Sequence, residues 1–413
     1  MSRHKWVNVL WILFALAASF VFARVEGGFL AWFVFDFSCV LGIYEMVELW
    51  FGGRGLVCTR QLSTTRLTAG QSLTVRLQVR RSAGWPLWWL RVEDDLPTAW
   101  LILTRRPVLQ PLWATHFVLE YRLPGLLRGV YEIGATRLVS GDLLGLVERS
   151  RMQPGADTVW VFPQVLPVRG WSGYRPELLG LREPTGRRSE ESSNVIGVRD
   201  YIPGDRLSRV HWPASARMGT LQAKEFELHV ASELMIMADL STHSFRTQPP
   251  ALFELEMVVT ASLLKHAYDL HRTFGLTLHG ETLVQTPSGT GQALWMRGME
   301  ALALARPEGP VCFAQSLARL VQESTLGTTF VVVSPQLDVE SAVAAEAARR
   351  RGPVEWFVPV MGTQLNSGQR QVLKLLEASR VNVYLIANPS QLGNLQRGGA
   401  GGRVRQTSVR HGL

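Results

Sequence analysis

The chain has 413 residues, 46% of them hydrophobic, and a formal net charge of +9 carried almost wholly by arginine; its only lysines are Lys5, Lys224, Lys265 and Lys374. That length can hold more than one compact unit, and three scattered cysteines, Cys39, Cys58 and Cys312, fit a reducing compartment and argue against a disulfide framework. The basic balance suits anionic lipid headgroups; no zinc spacing, base-stacking motif or helix-turn-helix pattern supports nucleic acid, and no phosphate-cradling glycine loop supports nucleotide hydrolysis.

Trp6 to Ala23 is apolar except for Asn8 and Ser19, long enough for a spanning helix of roughly 20 residues. After the turn Arg24 to Gly28, a second apolar run from Phe29 to about Phe51 returns. Residues 1–56 therefore predict a two-helix transmembrane anchor. A cleavable signal peptide fails as a reading because the second run follows at once, with no small-residue cleavage site before it. Arg3, His4 and Lys5 precede the hairpin and Arg54, Arg60 and Arg66 follow it, which predicts that both ends and the soluble remainder are cytoplasmic. Asp36 interrupts the second helix. Its charge at that depth costs a few kcal/mol, so it is expected to be neutral or paired, with Ser19 or with another subunit. Glu45 and Glu48 fall near the interface and need no special account.

Residues 57–167 read as short strands between turns. Leu73 to Val79 alternates with period two, Phe117–Leu123 and Val130–Leu138 continue the pattern, and Thr158–Phe162 closes it. Gly70, Pro97, Pro107, Gly125 and Gly141 punctuate. The spacing predicts an antiparallel, immunoglobulin-like β-sandwich. Trp85, Trp88, Trp89 and Trp100 crowd one region, as a core-and-edge aromatic cluster or as a docking face for a partner or the bilayer surface.

Residues 168–230 are predicted to be a polar linker followed by a dense block, Gly197-Val-Arg-Asp-Tyr-Ile-Pro-Gly-Asp-Arg-Leu-Ser-Arg-Val-His-Trp-Pro-Ala-Ser-Ala-Arg217, running on to Lys224-Glu-Phe-Glu227. Asp205, after Pro203-Gly204, is expected to cap a short helix carrying Arg206 and Arg209. Trp212 is expected to pack, and Arg209, Arg217, Glu225 and Glu227 to pair. A His211, Ser215 and Asp200 or Asp205 triad can be drawn, but no nucleophile-elbow sequence or oxyanion hole accompanies the serine.

From residue 231 to 388 the period changes. Short apolar runs at Ala231–Ala238, Phe274–His279, Thr328–Val333, Val354–Met361 and Val381–Ala387 alternate with helical patterns at Ala251–Arg272, Gln292–Ala305, Cys312–Glu323, Val339–Arg351 and Gln369–Ser379. Such alternation predicts a parallel sheet covered on both faces. Residues 389–413 are Gly/Arg-rich and predict a disordered tail.

In open parallel sheets ligands sit beyond the carboxyl ends of strands. Asp239 and Ser241 lie there after the first strand and offer hard oxygens to Mg²⁺. The run Asp239-Leu-Ser241-Thr-His243 resembles the adhesion motif D-x-S-x-S of von Willebrand factor A domains, with His243 where the second Ser stands. That motif draws further ligands from later loops; Thr290 could supply one, while Asp338 comes four residues late in its loop. Two readings stand: a degenerate Mg²⁺ site of Asp239, Ser241 and Thr290, and a hydrogen-bonded loop without metal.

The block at 197–227 resembles the signature of the bacterial domain-of-unknown-function 58 family, R-x-Y-x-x-G-D-x-x-R-x-I-H-W-K-x-S-A-R followed by a Gly turn and E-F-E. Pro213 stands where that family has Lys. Arg128-Gly-Val-Tyr131 and Gly141-Asp-Leu-Leu-Gly145 extend the resemblance, with Leu143 in place of a usual Pro. The resemblance implies a chain of three parts: transmembrane hairpin, immunoglobulin-like sandwich and von Willebrand factor A-like α/β domain. It further implies a bacterial inner-membrane protein associated with a MoxR-type AAA ATPase and a transglutaminase-like membrane protein. The function expected on that basis is a non-enzymatic scaffold that binds the ATPase or its client. Asp200, Tyr201, Gly204, Asp205, Arg209, His211, Trp212, Ser215, Arg217 and Glu225 would form the partner-binding surface. The competing expectation is a metal-assisted hydrolase centred on Asp239, His243 and His211.

Overall fold

The computed structural model describes residues 3–82, 84–101, 108–146, 148–171, 195–202, 205, 207–226, 233–281, 283–362 and 365–395. The chain divides into two compact units, Met1–Pro163 and Gln164–Leu413.

The first unit begins with two long helices, α1 (Arg3–Glu26) and α2 (Phe29–Phe51). They run antiparallel: the Phe20 and Phe35 rings lie 5.4 Å apart, and Gly42 leaves room for Leu16, whose Cδ1 would sit 3.1 Å from a Cβ added there. Gly27 makes the turn with φ +66°, a conformation that costs glycine little. By length and composition α2 can cross a bilayer, alone in this among the described residues. Asp36 is exposed on α2, and the Ser19 hydroxyl donates to the Leu16 carbonyl of its own helix at 3.0 Å. The expected Asp36–Ser19 pairing within the hairpin is not made. Glu45 and Glu48 are buried rather than solvated, and Glu48 accepts from the Trp85 indole N–H.

Ten strands follow, with one helical turn α3 (Thr98–Leu101) among them: β1 (Val57–Leu62), β2 (Arg66–Thr68), β3 (Leu73–Arg80), β4 (Trp89–Asp94), β5 (Val108–Leu109), β6 (His116–Leu123), β7 (Gly129–Ile133), β8 (Thr136–Gly141), β9 (Glu148–Gln153) and β10 (Asp157–Phe162). They form three sheets, ordered β1-β3-β6, β5-β4-β8-β9 and β2-β10-β7. β3 alternates buried and open residues throughout, as period two requires. Its inward Leu73, Val75, Leu77 and Val79 join Leu90, Val92, Leu138, Val159 and Val161 in one core.

Two expectations for this region need correcting. Val130–Leu138 is not one strand: the chain turns at Gly134, whose N–H donates to Asp95 O at 2.8 Å, so that β7 pairs with β10 and β8 with β4. The pairing is also not wholly antiparallel, since β2 and β10 run parallel. Buried beside the core, the Arg60 guanidinium bonds Asp94 (2.8 Å), Asp157 (3.0 Å) and Thr136 (2.9 Å).

In the second unit a hairpin of β11 (Val195–Asp200) and β12 (Gln222–Phe226) encloses α4 (Trp212–Met218). An α/β body follows: β13 (Leu234–Ala238), α5 (Thr242–Phe245), α6 (Pro250–Asp269), β14 (Phe274–His279), β15 (Leu283–Gly289), α7 (Gln292–Leu304), α8 (Phe313–Glu323), β16 (Thr329–Val333), α9 (Val339–Arg351), β17 (Val354–Pro359), α10 (Ser367–Ala378) and β18 (Asn382–Ile386). Its six strands are ordered β15-β14-β13-β16-β17-β18. The sheet is mixed rather than parallel, because β15 pairs antiparallel with β14 at the edge. α6 lies against β13, β14, β16 and β17. The other face buries Met235, Met237, Phe330, Val332, Trp356 and Val358 under Phe313 and Leu317 of α8, Ala345 of α9 and Leu373 of α10.

The start of the expected linker is ordered against this body. Arg169 N–H donates to Leu392 O (2.9 Å) and Arg169 O accepts from Leu395 N–H (3.0 Å). The Trp171 indole reaches Glu355 at 3.4 Å. Residues 172–194 lie outside the described residues. The expected tail is folded at its start: Pro389–Asn394 is a 3-10 turn capped by Asn388, and residues 396–413 lie outside the described residues.

Candidate functional site

Two places collect the chemistry-bearing residues, both in the second unit. The first is the signature hairpin. β11 and β12 pair antiparallel, and the crossing between them is held by side chains turned onto backbone. Asp205 closes the turn, accepting from Ile202 N–H (3.2 Å) and from the Arg199 guanidinium (2.8 Å), ahead of a single 3-10 turn at Leu207–Arg209 that carries Arg209. His211 is the cap of α4, its Nδ1 accepting the Ala214 N–H at 3.1 Å. Ser215 Oγ donates to the His211 carbonyl (3.0 Å) and accepts from Gln222 N–H (2.8 Å), tying α4 to β12. Asp200 accepts from Gln222 Nε2 at 2.6 Å, and the Tyr201 hydroxyl donates to Asp205 O at 3.0 Å. Gly219 ends α4 in the left-handed region, φ +70°, where a Cβ is strained.

The drawn triad is not assembled: Ser215 addresses the His211 carbonyl and not its ring, and the ring nitrogen that would meet an aspartate is already bonded to backbone. Nor does Trp212 pack; it is 63% exposed. Leu207 (67%), Met218 (66%) and Ile202 are exposed with it, while Val210 and Ala223 form the hairpin's small buried core. Arg209 is half-buried and Arg217 exposed. Gly204, Arg206, Glu227 and the Glu225 side chain lie outside the described residues.

The second place is the crevice where the strand order reverses, between β13 and β16, the position at which open α/β sheets take ligands. Asp239 follows β13 and is buried. Its carboxylate accepts from Ser241 N–H (2.8 Å), Ser244 Oγ (2.6 Å) and Ser334 Oγ (2.7 Å). Ser241 Oγ caps α5 through Ser244 N–H at 3.3 Å. Behind the loop, Glu256 of α6 accepts the Asp239 N–H at 2.6 Å. Burial raises the Asp239 carboxyl, and the three serine donors pull it back toward the ionised form. Burial, reinforced by Asp239, pushes Glu256 well above the usual carboxylate range.

The residues expected to bind Mg²⁺ are not brought together. Thr290 follows β15, whose Gly289 pairs with Phe274 at the start of β14, whereas Asp239 follows the end of β13, which is in register with the end of β14. The length of the sheet separates the two. An antiparallel β15 accounts for this, because it carries its own carboxyl end to the wrong edge. His243 is exposed on α5. Asp239's oxygens are engaged by protein donors, and among the described residues no three His, Cys, Asp or Glu side chains are placed to hold a metal ion. The set as it stands does not fit Mg²⁺, which asks for several oxygen ligands in octahedral array.

Sequence reasoning missed Ser244, Ser334 and Glu256. Ser334 stands directly after an apolar strand, as Asp239 does, and Glu256 is a carboxylate on the apolar face marked by Leu252, Leu255 and Val259. Both signals were readable.

Among known proteins, the chain is 28% identical over 359 residues to "Uncharacterized protein YeaD" of Bacillus subtilis (strain 168), covering 84% of this chain and 87% of that one. Structural likenesses are slight. Proximal thread matrix protein 1 from the mussel byssus overlaps 40% of this chain and 45% of its own at 10% identity and a TM-score of 0.30. A CARDB domain from Pyrococcus furiosus overlaps 26% of this chain and 91% of its own at 14% identity and a TM-score of 0.19. The family described as "Protein of unknown function DUF58" matches residues 197–355, from within β11 of the signature hairpin to the start of β17. That stretch is similar to the family whose signature the sequence resembles.

Proposed function

We propose that the protein is a non-enzymatic scaffold of the bacterial inner membrane. In this reading α1 and α2 anchor it, the β-rich unit is an immunoglobulin-like spacer, and the α/β body is a von Willebrand factor A-like platform in the cytoplasm. The signature hairpin is its docking face. The partner that the family resemblance points to is a MoxR-type AAA ATPase or that ATPase's client, with a transglutaminase-like membrane protein in the same assembly.

One observation carries the reading. The polar residues of the signature hold backbone in place, while Ile202, Leu207, Trp212 and Met218 face solvent. His211, Ser215 and Asp205 are turned onto backbone, while four large apolar side chains are left to solvent. Exposed tryptophan on a rigid frame is the usual anchor of a protein interface. The six-stranded order with an antiparallel edge supports the A-like platform.

The test is capture of the purified MoxR-type ATPase from the same genome by the full-length protein in detergent. Trp212→Ser and Leu207→Ser together should abolish capture and leave the thermal midpoint unchanged. Capture that survives both substitutions removes the hairpin from the interface. Ester or phosphoester turnover lost on His211→Ala would replace the scaffold with a hydrolase.

A further inference from the structure

The β-rich unit carries a second feature that the scaffold reading leaves unexplained: apolar side chains at the tips of two of its loops. Both loops are built against α2. In the β8–β9 loop Leu143 is 66% and Leu144 51% exposed, with Leu146 open beside them. The loop is nonetheless rigidly held. Asp142 is buried and its carboxylate accepts the Leu144 N–H at 2.7 Å; its carbonyl accepts the Trp89 indole N–H at 3.0 Å. The Leu143 N–H donates to the Tyr44 hydroxyl at 3.2 Å.

Tyr44 gives the depth. It lies seven positions before Phe51, the last residue of α2, about 10 Å back along the helix at 1.5 Å per residue. Helical side chains lean toward the amino end, which here carries the hydroxyl further from the helix end, not nearer to it. Leu143 and Leu144 thus stand level with a part of α2 whose Val40, Ile43 and Met46 are open.

The second loop is fixed to the same place. Arg81 donates to Leu112 O (2.7 Å), Ala114 O (2.8 Å) and Trp85 O (2.8 Å), and the Trp85 ring lies 6.2 Å from that of Tyr44. Between those carbonyls Trp113 projects, 69% exposed. Cations mark the level above: Arg149 donates to Gly52 O at 2.8 Å, and the Arg54 guanidinium sits 5.8 Å from the Phe51 ring.

We propose that the Asp142–Leu146 loop, with Trp113 beside it, is a wedge that enters the bilayer alongside α2. Its leucines meet acyl chains while Arg54 and Arg149 meet anionic headgroup phosphates. The inference rests on the reading of α2 as a membrane span. Lipid is the occupant because the exposed leucines continue the apolar surface of α2 at the same depth, with cations in the order that an anionic interface requires. Each leucine that leaves water adds apolar burial, and the rigid loop makes the β-rich unit sit on the membrane in one orientation.

The experiment uses the full-length protein in vesicles of phosphatidylethanolamine with phosphatidylglycerol. A photoreactive benzophenone amino acid replaces Leu144, Phe37 on α2, or Leu127, which is exposed in the β6–β7 connection at the opposite end of β6 from His116. After illumination, lipid adducts are read as a mass shift on the labelled peptide. Adducts at Leu144 and Phe37 but not at Leu127 are expected. An adduct at Phe37 alone, or a protein crosslink at Leu144, overturns the wedge and leaves the span standing. Equal adducts at Leu127 overturn it as unspecific. The absence of adducts at Phe37 removes the span, and the wedge with it.

Discussion

Ser215→Ala separates a structural signature from a catalytic one. The Ser215 hydroxyl makes two bonds that cross from α4 to the rest of the hairpin, donating to His211 O at 3.0 Å and accepting from Gln222 N–H at 2.8 Å. Gln222 is buried, and the register pairs it with Asp200 at the turn end of β12. Without the hydroxyl, the amide of this buried residue loses its acceptor. Orphaning a buried donor costs about 1–3 kcal/mol. If that penalty falls on local opening of the hairpin, the Gln222 amide should exchange about five- to one-hundred-and-fifty-fold faster, at 1.4 kcal/mol per tenfold. The assay is native-state hydrogen exchange on the full-length protein, resolved to the peptide spanning β12. Ser215→Thr keeps an Oγ and should stay close to the parent, while amides of β13 should be unaffected in both variants. Unchanged exchange at Gln222 in Ser215→Ala would refute the bonding described. Loss of a measurable turnover with exchange intact would make the serine a reacting group.

Two further substitutions test the buried polar groups. Arg60→Met should destabilise the β-rich unit by about 3–5 kcal/mol, because Asp94 is left buried without its counter-ion; adding Asp94→Leu should recover part of the loss in denaturant unfolding, and a single-variant cost under about 1 kcal/mol would contradict the ion-pair account. Glu256 tests the crevice through pH. Its carboxyl is raised in the fold, so the folded state binds the extra proton, stability is highest at low pH, and it falls as pH rises above the unfolded value toward the folded one. The loss from this one group cannot exceed about 1.4 kcal/mol per pH unit. Glu256→Gln should flatten that slope on the alkaline side of the ordinary glutamate range in thermal unfolding, and a slope equal to the parent's would show that the Glu256 carboxyl is not raised in the fold.

The elements that packing dictates locally were legible in the sequence. The apolar run Phe29–Phe51 gives α2, the alternation from Leu73 gives β3, and the strand–helix periods after residue 231 give the α/β body apart from the short α5 and the edge strand β15, which was not expected. Each rests on a hydrophobic period spanning one element, which neighbouring residues set by themselves. Direction and pairing are different. That β15 runs antiparallel, that β2 joins β10 in parallel, and that Val130–Leu138 divides between two sheets depend on partners far along the chain. Strand polarity leaves no mark in side-chain period, so Thr290 could be assigned to the wrong end of the sheet.

The signature shows the same division. Its residue types announced a built structure, but which side chains face backbone and which face water was decided by the β11–β12 hairpin. That hairpin turned His211 and Ser215 inward and left Trp212 outside. Glu45 and Glu48 looked like ordinary interfacial charges in the helix pattern. Only the contact of α2 with Trp85 and the β8–β9 loop buried them, because a helix period records which face is apolar and not what a later segment lays against it.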